Sequence, residues 1–189
     1  RIKSVPVSAT LAMAAKAREL KNEGKDIIGL SLGEPDFNTP DFIKEAAIEA
    51  INADYNSYTP VDGYVELKEA ICEKFKRDNS LDYAPNQIVV STGAKQSIAN
   101  AVQVLINPGD DVLLVAPYWV SYAAIVILAE GNPIEIRSDI ETDFKITPAQ
   151  LEAAITPKTK LVMLNSPNNP SGSMYSKEEY EALAKVLEQ

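Results

Sequence analysis

Histidine is absent from this 189-residue chain. A Ser–His–Asp triad or a histidine-ligated metal centre is therefore excluded within it, and no metal site is expected. Cysteine is nearly absent: Cys72 stands alone. No intrachain disulfide can form, and a reducing, cytoplasmic setting is the expectation. Cationic residues are in deficit, 18 Lys and Arg against 27 Asp and Glu, for a net charge of -9. Nucleic-acid surfaces need clustered Lys and Arg to neutralise phosphates, so no nucleic-acid partner is expected. No apolar run approaches the roughly 20 residues of a membrane span. No secretory signal is read, and no membrane partner is expected. The chain holds no internal repeat and no low-complexity tract. Tryptophan occurs once, as Trp119.

What remains has the balance of a globular domain, or of part of a larger one, with 46% hydrophobic and 24% charged residues. Its organising stretch is Leu161-Val-Met-Leu-Asn-Ser-Pro-Asn-Asn-Pro-Ser-Gly172. The four apolar residues 161–164 read as a buried strand. Pro167 and Pro170 then each fix φ and remove a backbone donor, and Gly172 permits a turn. Ser176, with Glu179 three residues on, has capping-box spacing and predicts a helix over 176–188. Residues 165–172 are thus a stiff loop at the C-terminal end of a strand, where open α/β sheets bind ligands. Asn168 and Asn169 bring uncharged amides to that edge. The plainer alternative is a connection whose asparagines only cap and turn.

Earlier in the chain, residues 8–22 have helical spacing, with Leu11, Ala15 and Leu20 on one side, Ser8 as N-cap and Gly24 past the end. Residues 27–32 read as a short strand. In the loop that follows, Gly33 either makes a plain turn or lets backbone approach a ligand closely. Thr39-Pro40 reads as N-cap and first position of a helix to residue 52. Tyr58 sits in a second loop, 56–63, as a half-buried aromatic or as a phenolic donor. Residues 64–78 predict an amphipathic helix with Leu67, Ile71 and Phe75 at four-residue spacing, and the mixed charges of 66–78 as its solvated face. From residue 87 strands and helices alternate. Strands are read over 88–91, 112–116, 133–136 and 160–164. Helices are read over 94–106, 119–129, 148–154 (capped by Thr147) and 176–188. Such alternation predicts the α/β class, a three-layer α/β/α arrangement with a mainly parallel sheet.

Three loops at strand C-terminal ends carry distinctive chemistry. Ser91-Thr-Gly-Ala-Lys-Gln96 runs from a small-residue turn straight into a helix N-terminus, whose free N–H groups favour an anion such as phosphate. Lys95 adds charge there or is simply solvated. The glycine patterns of a Walker A loop and of a dinucleotide fingerprint are absent, which weighs against a nucleotide-binding domain. Ala116-Pro-Tyr-Trp-Val120 puts Trp119 directly after a buried strand, as a stacking face for a flat heteroaromatic ring or as a core residue. With the Asn168-Asn169 loop, the set comprises an anion cradle, a stacking face and an amide. That combination suits a phosphorylated, planar cofactor.

Ser31-Leu-Gly-Glu-Pro-Asp-Phe37, Tyr58-Thr-Pro, Gly63 with Glu66-Leu-Lys-Glu-Ala70, Gly93-Ala-Lys-Gln96, Pro117-Tyr-Trp-Val-Ser-Tyr122 and Asn165-Ser-Pro-Asn-Asn-Pro-Ser-Gly172 together resemble the class I aminotransferases. These are fold-type I pyridoxal-phosphate enzymes, and the likeness is greatest to the bacterial aspartate aminotransferase branch. It extends over essentially the whole chain, in the family's order and spacing. The resemblance implies that Gly33 turns its backbone to the substrate α-carboxylate. It implies that Tyr58 reaches the phosphate of pyridoxal 5'-phosphate in the other subunit of a homodimer, and that Gly93, Ala94 and Lys95 form the phosphate turn. Trp119 would stack on the pyridine ring and Asn169 would bond its phenolic oxygen, both beside the substrate. Residues 1–38 would be an N-terminal arm with part of a small domain, and 39–189 part of the cofactor-binding large domain. The implied reaction is transamination between an amino acid, aspartate, and a 2-oxo acid, 2-oxoglutarate.

The family's imine-forming lysine, its pyridine-nitrogen aspartate and its carboxylate-clamping arginine match no residue here and are expected beyond Gln189. No catalytic residue is therefore assigned, and Lys95 does not substitute for the lysine. The expectation is the N-terminal half of a longer enzyme, inactive by itself, with apolar strand edges left unpaired. Two alternatives stand beside it: a lyase or synthase reaction of the same cofactor, and a non-catalytic cofactor-binding fragment.

Overall fold

The structure, a computed structural model, describes residues 2–7, 9–30, 33 and 35–188. They form two compact units: Lys16–Ser97, and the described residues on either side of that span.

The first unit takes in part of α1 (Ala9–Asn22), then α2 (Asp41–Asn52) and α3 (Val65–Asn79). Helix α1 ends where Gly24, at φ +82, donates its N–H to the Lys21 carbonyl at 2.9 Å. Ser8, expected to cap α1, lies outside the described residues, as do Ser31, Leu32 and Glu34 of the 31–37 motif. The strand expected over 27–32 is not formed by 27–30, where Ile28 and Leu30 are exposed. A strand exists only as a rung of a ladder, and no described residue pairs with these. Thr39 does not cap α2; Pro40 is itself the N-cap, with an extended ψ of 143° and no side-chain cap.

Tyr64 is the N-cap of α3, and its charged face is not wholly solvated as read: Lys68 is buried and ion-paired with Asp62. The strand read over 88–91 is likewise unpaired with any other strand among the described residues. Its Val90 N–H instead bonds the Asp62 carbonyl at 3.0 Å, and Ile88 is buried. Beside it stands Gly63 at φ +103, where an added Cβ would lie 2.6 Å from Val90 Cγ2. Only glycine both adopts that angle freely and leaves that space.

The second unit receives the later part of α4 (Ala94–Leu105) and holds β1 (Asp111–Ala116), α5 (Ser121–Leu128), β2 (Asn132–Arg137), α6 (Pro148–Ala154), β3 (Thr159–Met163) and α7 (Lys177–Leu187). The three strands are parallel in the order β2-β1-β3. Side chains of β1 alternate between two cores. Leu113 and Val115 pack with Ile136, Ile146, Leu151 and Leu183, toward α6 and α7. Val112 and Leu114 pack with Val102, Ile106, Ile125 and Val126, toward α4 and α5. Burying each such side chain contributes about 1.5–3 kcal/mol. Helices thus cover both faces of a parallel sheet, and the expected three-layer α/β/α arrangement is met.

Two details differ from the sequence reading. Residues 161–164 are half-buried rather than buried, because among the described residues β3 has a neighbouring strand on one side only, β1. Helix α5 begins at Ser121, so Trp119 stands in the loop and not in the helix. Both expected caps form: Thr147 Oγ1 accepts from the Gln150 N–H at 3.3 Å, and Ser176 Oγ from the Glu179 N–H at 3.2 Å. Among the described residues no helix is long and apolar enough to cross a membrane.

Candidate cofactor site

Parallel pairing aligns the C-terminal ends of β1 and β3, and the loops that leave those ends are the ones carrying Trp119 and Asn169. They are joined directly. Asn168 donates from Nδ2 to the Pro117 carbonyl at 3.1 Å, across 51 positions of sequence. The same residue organises its own loop. Its Oδ1 accepts from the Ser171 N–H at 3.0 Å and from Ser171 Oγ at 2.9 Å. Its main chain bonds Ser173 and Gly172 at 2.9 and 2.8 Å. Asn169 differs. Its N–H donates to Asn165 Oδ1 at 2.8 Å, but its side-chain amide has no hydrogen-bond partner among the described residues, and it is exposed. The bonds Ala116–Pro117, Ser166–Pro167 and Asn169–Pro170 are cis.

Trp119 is half-buried and meets Tyr122 edge-on, with ring centroids 5.6 Å apart and planes at 90°. Its carbonyl accepts the Tyr122 N–H at 2.9 Å. Tyr118 stacks on Tyr122 at 6.5 Å and donates its hydroxyl to Glu135 of β2 at 2.7 Å. Partial burial, reinforced by the Glu135 carboxylate, pushes the Tyr118 phenol up to about 12. Burial also raises Tyr122. Both hydroxyls therefore stay protonated near neutrality, and Tyr118 is a donor that ties its loop to β2 rather than a base.

The remaining candidates lie in the other unit. Gly93 has φ +81 and donates its N–H to the Ser91 carbonyl at 2.8 Å. The chain turns there directly into α4, whose first residues are Ala94 and Lys95. All three are exposed. The first N–H groups of a helix lack intrahelical acceptors, so this end has the chemistry that favours an anion. Gln96 closes the turn by accepting the Thr92 N–H on Oε1. Tyr58 is fully exposed in its loop. That loop is anchored at Asp62, whose carboxyl is held below its usual range by the hydrogen bond from Lys68. Gly33 is exposed, with no described atom within 4 Å of where a Cβ would stand.

Within the second unit, a flat ring with a polar oxygen fits what is present: a half-exposed indole and an amide with no partner among the described residues, on two loops fastened together. Within the first, a phosphate fits an exposed glycine turn at a helix N-terminus. Each unit, taken by itself, thus offers a surface that suits one part of pyridoxal phosphate. The local chemistry of the sequence treated Asn168 and Asn169 alike, only the family resemblance singling out Asn169, and it did not single out Tyr118, Glu135 or the Lys68–Asp62 pair. The Ser at 171 was the one available signal, since Asn followed three residues later by Ser favours a local side-chain turn.

A family model described as "Aminotransferase class I and II" matches residues 25–189. An aspartate/prephenate aminotransferase of Nitrosomonas europaea is 56% identical over 187 residues, which are 99% of this chain and 47% of that protein. The crystal structure of the aspartate aminotransferase from Rhizobium meliloti is similar with a TM-score of 0.93 and 49% identity, over 98% of this chain and 46% of that one. The aspartate aminotransferase of Thermus thermophilus with maleate gives a TM-score of 0.94 at 44% identity, over 98% and 48%. The chain spans about half the length of the curated relatives it matches.

Proposed function

The chain belongs to the class I and II aminotransferases, and from that premise we propose that it is the N-terminal half of a cytoplasmic, homodimeric pyridoxal-phosphate enzyme. Its reaction moves an amino group from aspartate to 2-oxoglutarate. Residues 1–38 belong to an arm and a small domain, and 39–189 to the cofactor-binding domain. The observation that carries the reading is the joined pair of loops at the C-terminal ends of β1 and β3, with an indole on one and an unpartnered amide on the other.

When bound, pyridoxal phosphate supplies the electron sink that makes a substrate Cα–H acidic. This chain's residues bind and orient. Trp119 covers one face of the ring and keeps water from it. Asn169 donates its side-chain N–H to the phenolic oxygen and stands beside the substrate. The Gly93, Ala94 and Lys95 turn holds the phosphate on main-chain N–H groups. Tyr58, exposed on its loop, reaches the phosphate held by a second copy. Gly33 presents main chain to the substrate α-carboxylate. The group that moves the proton is expected outside these 189 residues, so the isolated chain binds without turning over.

A second acceptor is favoured by a specific observation: the 56% identical relative from Nitrosomonas europaea is an aspartate/prephenate aminotransferase. The complete protein, loaded with pyridoxal phosphate, is expected to form oxaloacetate from aspartate with 2-oxoglutarate. Prephenate added as a competing acceptor decides the second reading. Release of ammonia or carbon dioxide without amino transfer would replace this proposal with lyase chemistry. Borohydride treatment of the 189-residue chain with the cofactor is expected to leave no covalent adduct, and a trapped adduct would overturn the division of labour.

A further inference from the structure

Two adjacent asparagines stand in the β3 loop, and their hydrogen bonding separates them. Every polar atom of the Asn168 side chain is engaged: Oδ1 takes two donors from Ser171, and Nδ2 donates to the Pro117 carbonyl. The amide has one workable orientation. Turned over, it would set its NH2 against the Ser171 N–H and its oxygen against the carbonyl of Pro117. Proline has no N–H, so nothing at 117 can reverse the polarity of the contact. Pro117 is two residues before Trp119, and Asn168 is the neighbour of Asn169. One half-buried side chain therefore ties the loop that carries the indole to the loop that carries Asn169.

We infer that Asn168 is a positioning residue, which holds the Trp119 loop at the distance from Asn169 that a bound ring requires. The inference rests on the roles proposed above for Trp119 and Asn169. Without the cross-loop bond each loop keeps its own turn, because the Ser171 bonds and the Asn165 bond to the Asn169 N–H are local. Only their mutual spacing is released. The ordering of the two loops then has to be completed at binding, at the expense of affinity.

Asn168→Asp isolates this bond. It keeps an acceptor for Ser171 and replaces the donor to Pro117 with an oxygen facing a carbonyl. The complete protein is used, and the contribution of Trp119 to emission is taken as the difference from the same protein carrying Trp119→Phe. Three results are expected. In the cofactor-free N168D protein the Trp119 emission shifts. Pyridoxal phosphate affinity, followed by cofactor absorbance, falls about tenfold, the scale of one lost hydrogen bond. In the W119F background the loss from N168D shrinks to within about twofold, because the effect travels through the indole loop. An unchanged Trp119 emission, or an equal loss in both backgrounds, overturns the inference. If W119F alone leaves affinity unchanged, the stacking role of Trp119 fails, while the emission measurement still decides on Asn168. If N168D does not fold, Ser171→Ala removes one of the two hydrogen bonds that hold Asn168 Oδ1. A smaller emission shift supports the inference and none overturns it.

Discussion

Lys68 is buried to 6% exposure while its ion-pair partner six residues earlier, Asp62, keeps 45% of its side chain in solvent. The pair closes the corner between the Tyr58 loop and α3, and the Asp62 carbonyl receives the Val90 N–H at the same corner. A buried ammonium without its partner is costly, so Asp62 is what allows Lys68 to lie inside.

Asp62→Asn is expected to lower the unfolding midpoint near neutral pH. The Lys68 hydrogen bond holds the folded carboxyl below the ordinary value of 3.8. The stabilisation is thus fully present above 3.8 and is lost as pH falls through the lowered folded value. Urea midpoints of wild type and variant should differ at neutrality and converge in strong acid. A gap that persists in strong acid would contradict the assignment.

Gly63→Ala faces both the φ of +103 and a 2.6 Å contact with Val90 Cγ2. Destabilisation of more than about 1 kcal/mol is expected, and relief on pairing it with Val90→Ala would identify the contact as part of the cause. Equal stability of Gly63→Ala and wild type would mean that the corner is looser than described.

The two Thr-Pro pairs should behave differently. Thr147→Ala removes a formed cap and is expected to lower stability by about 1 kcal/mol. Thr39→Ala removes none, since Pro40 is the N-cap of α2, and should stay within about 0.5 kcal/mol of wild type. Equilibrium denaturation of both variants checks this, and a reversed order would count against the α2 boundary.

Asn169→Ala is expected to leave the unfolding midpoint within about 0.5 kcal/mol, because the lost amide has no partner among the described residues. Pyridoxal phosphate affinity of the complete protein should fall in the same variant. Stability and affinity falling together would show that Asn169 serves the fold rather than a ligand.

Several elements could be read directly from residues because their causes are local. The Thr147-Pro148 and Ser176–Glu179 caps lie within one turn of chain, and the β–α alternation after residue 87 announced a parallel sheet. Residues 27–30 and 88–91, read as strand, were not legible in the same way. Apolar, β-prone residues make a strand only when another strand supplies the ladder, and that supply is not written in the segment itself. Asn168 and Asn169 make the same point within one loop: the same residue type, side by side, one satisfied by Pro117 and Ser171 and the other not.

By itself the sequence determined the layer architecture, the Thr147 and Ser176 caps and the residue types of the loops that follow β1 and β3. These follow from periodicity, capping chemistry and motifs a few residues long. Tertiary structure alone decided which strand sits in the middle, that Lys68 is buried against Asp62, and which asparagine joins two loops. Each of these depends on groups distant in the chain meeting within a hydrogen-bond length, and only the folded packing brings them there.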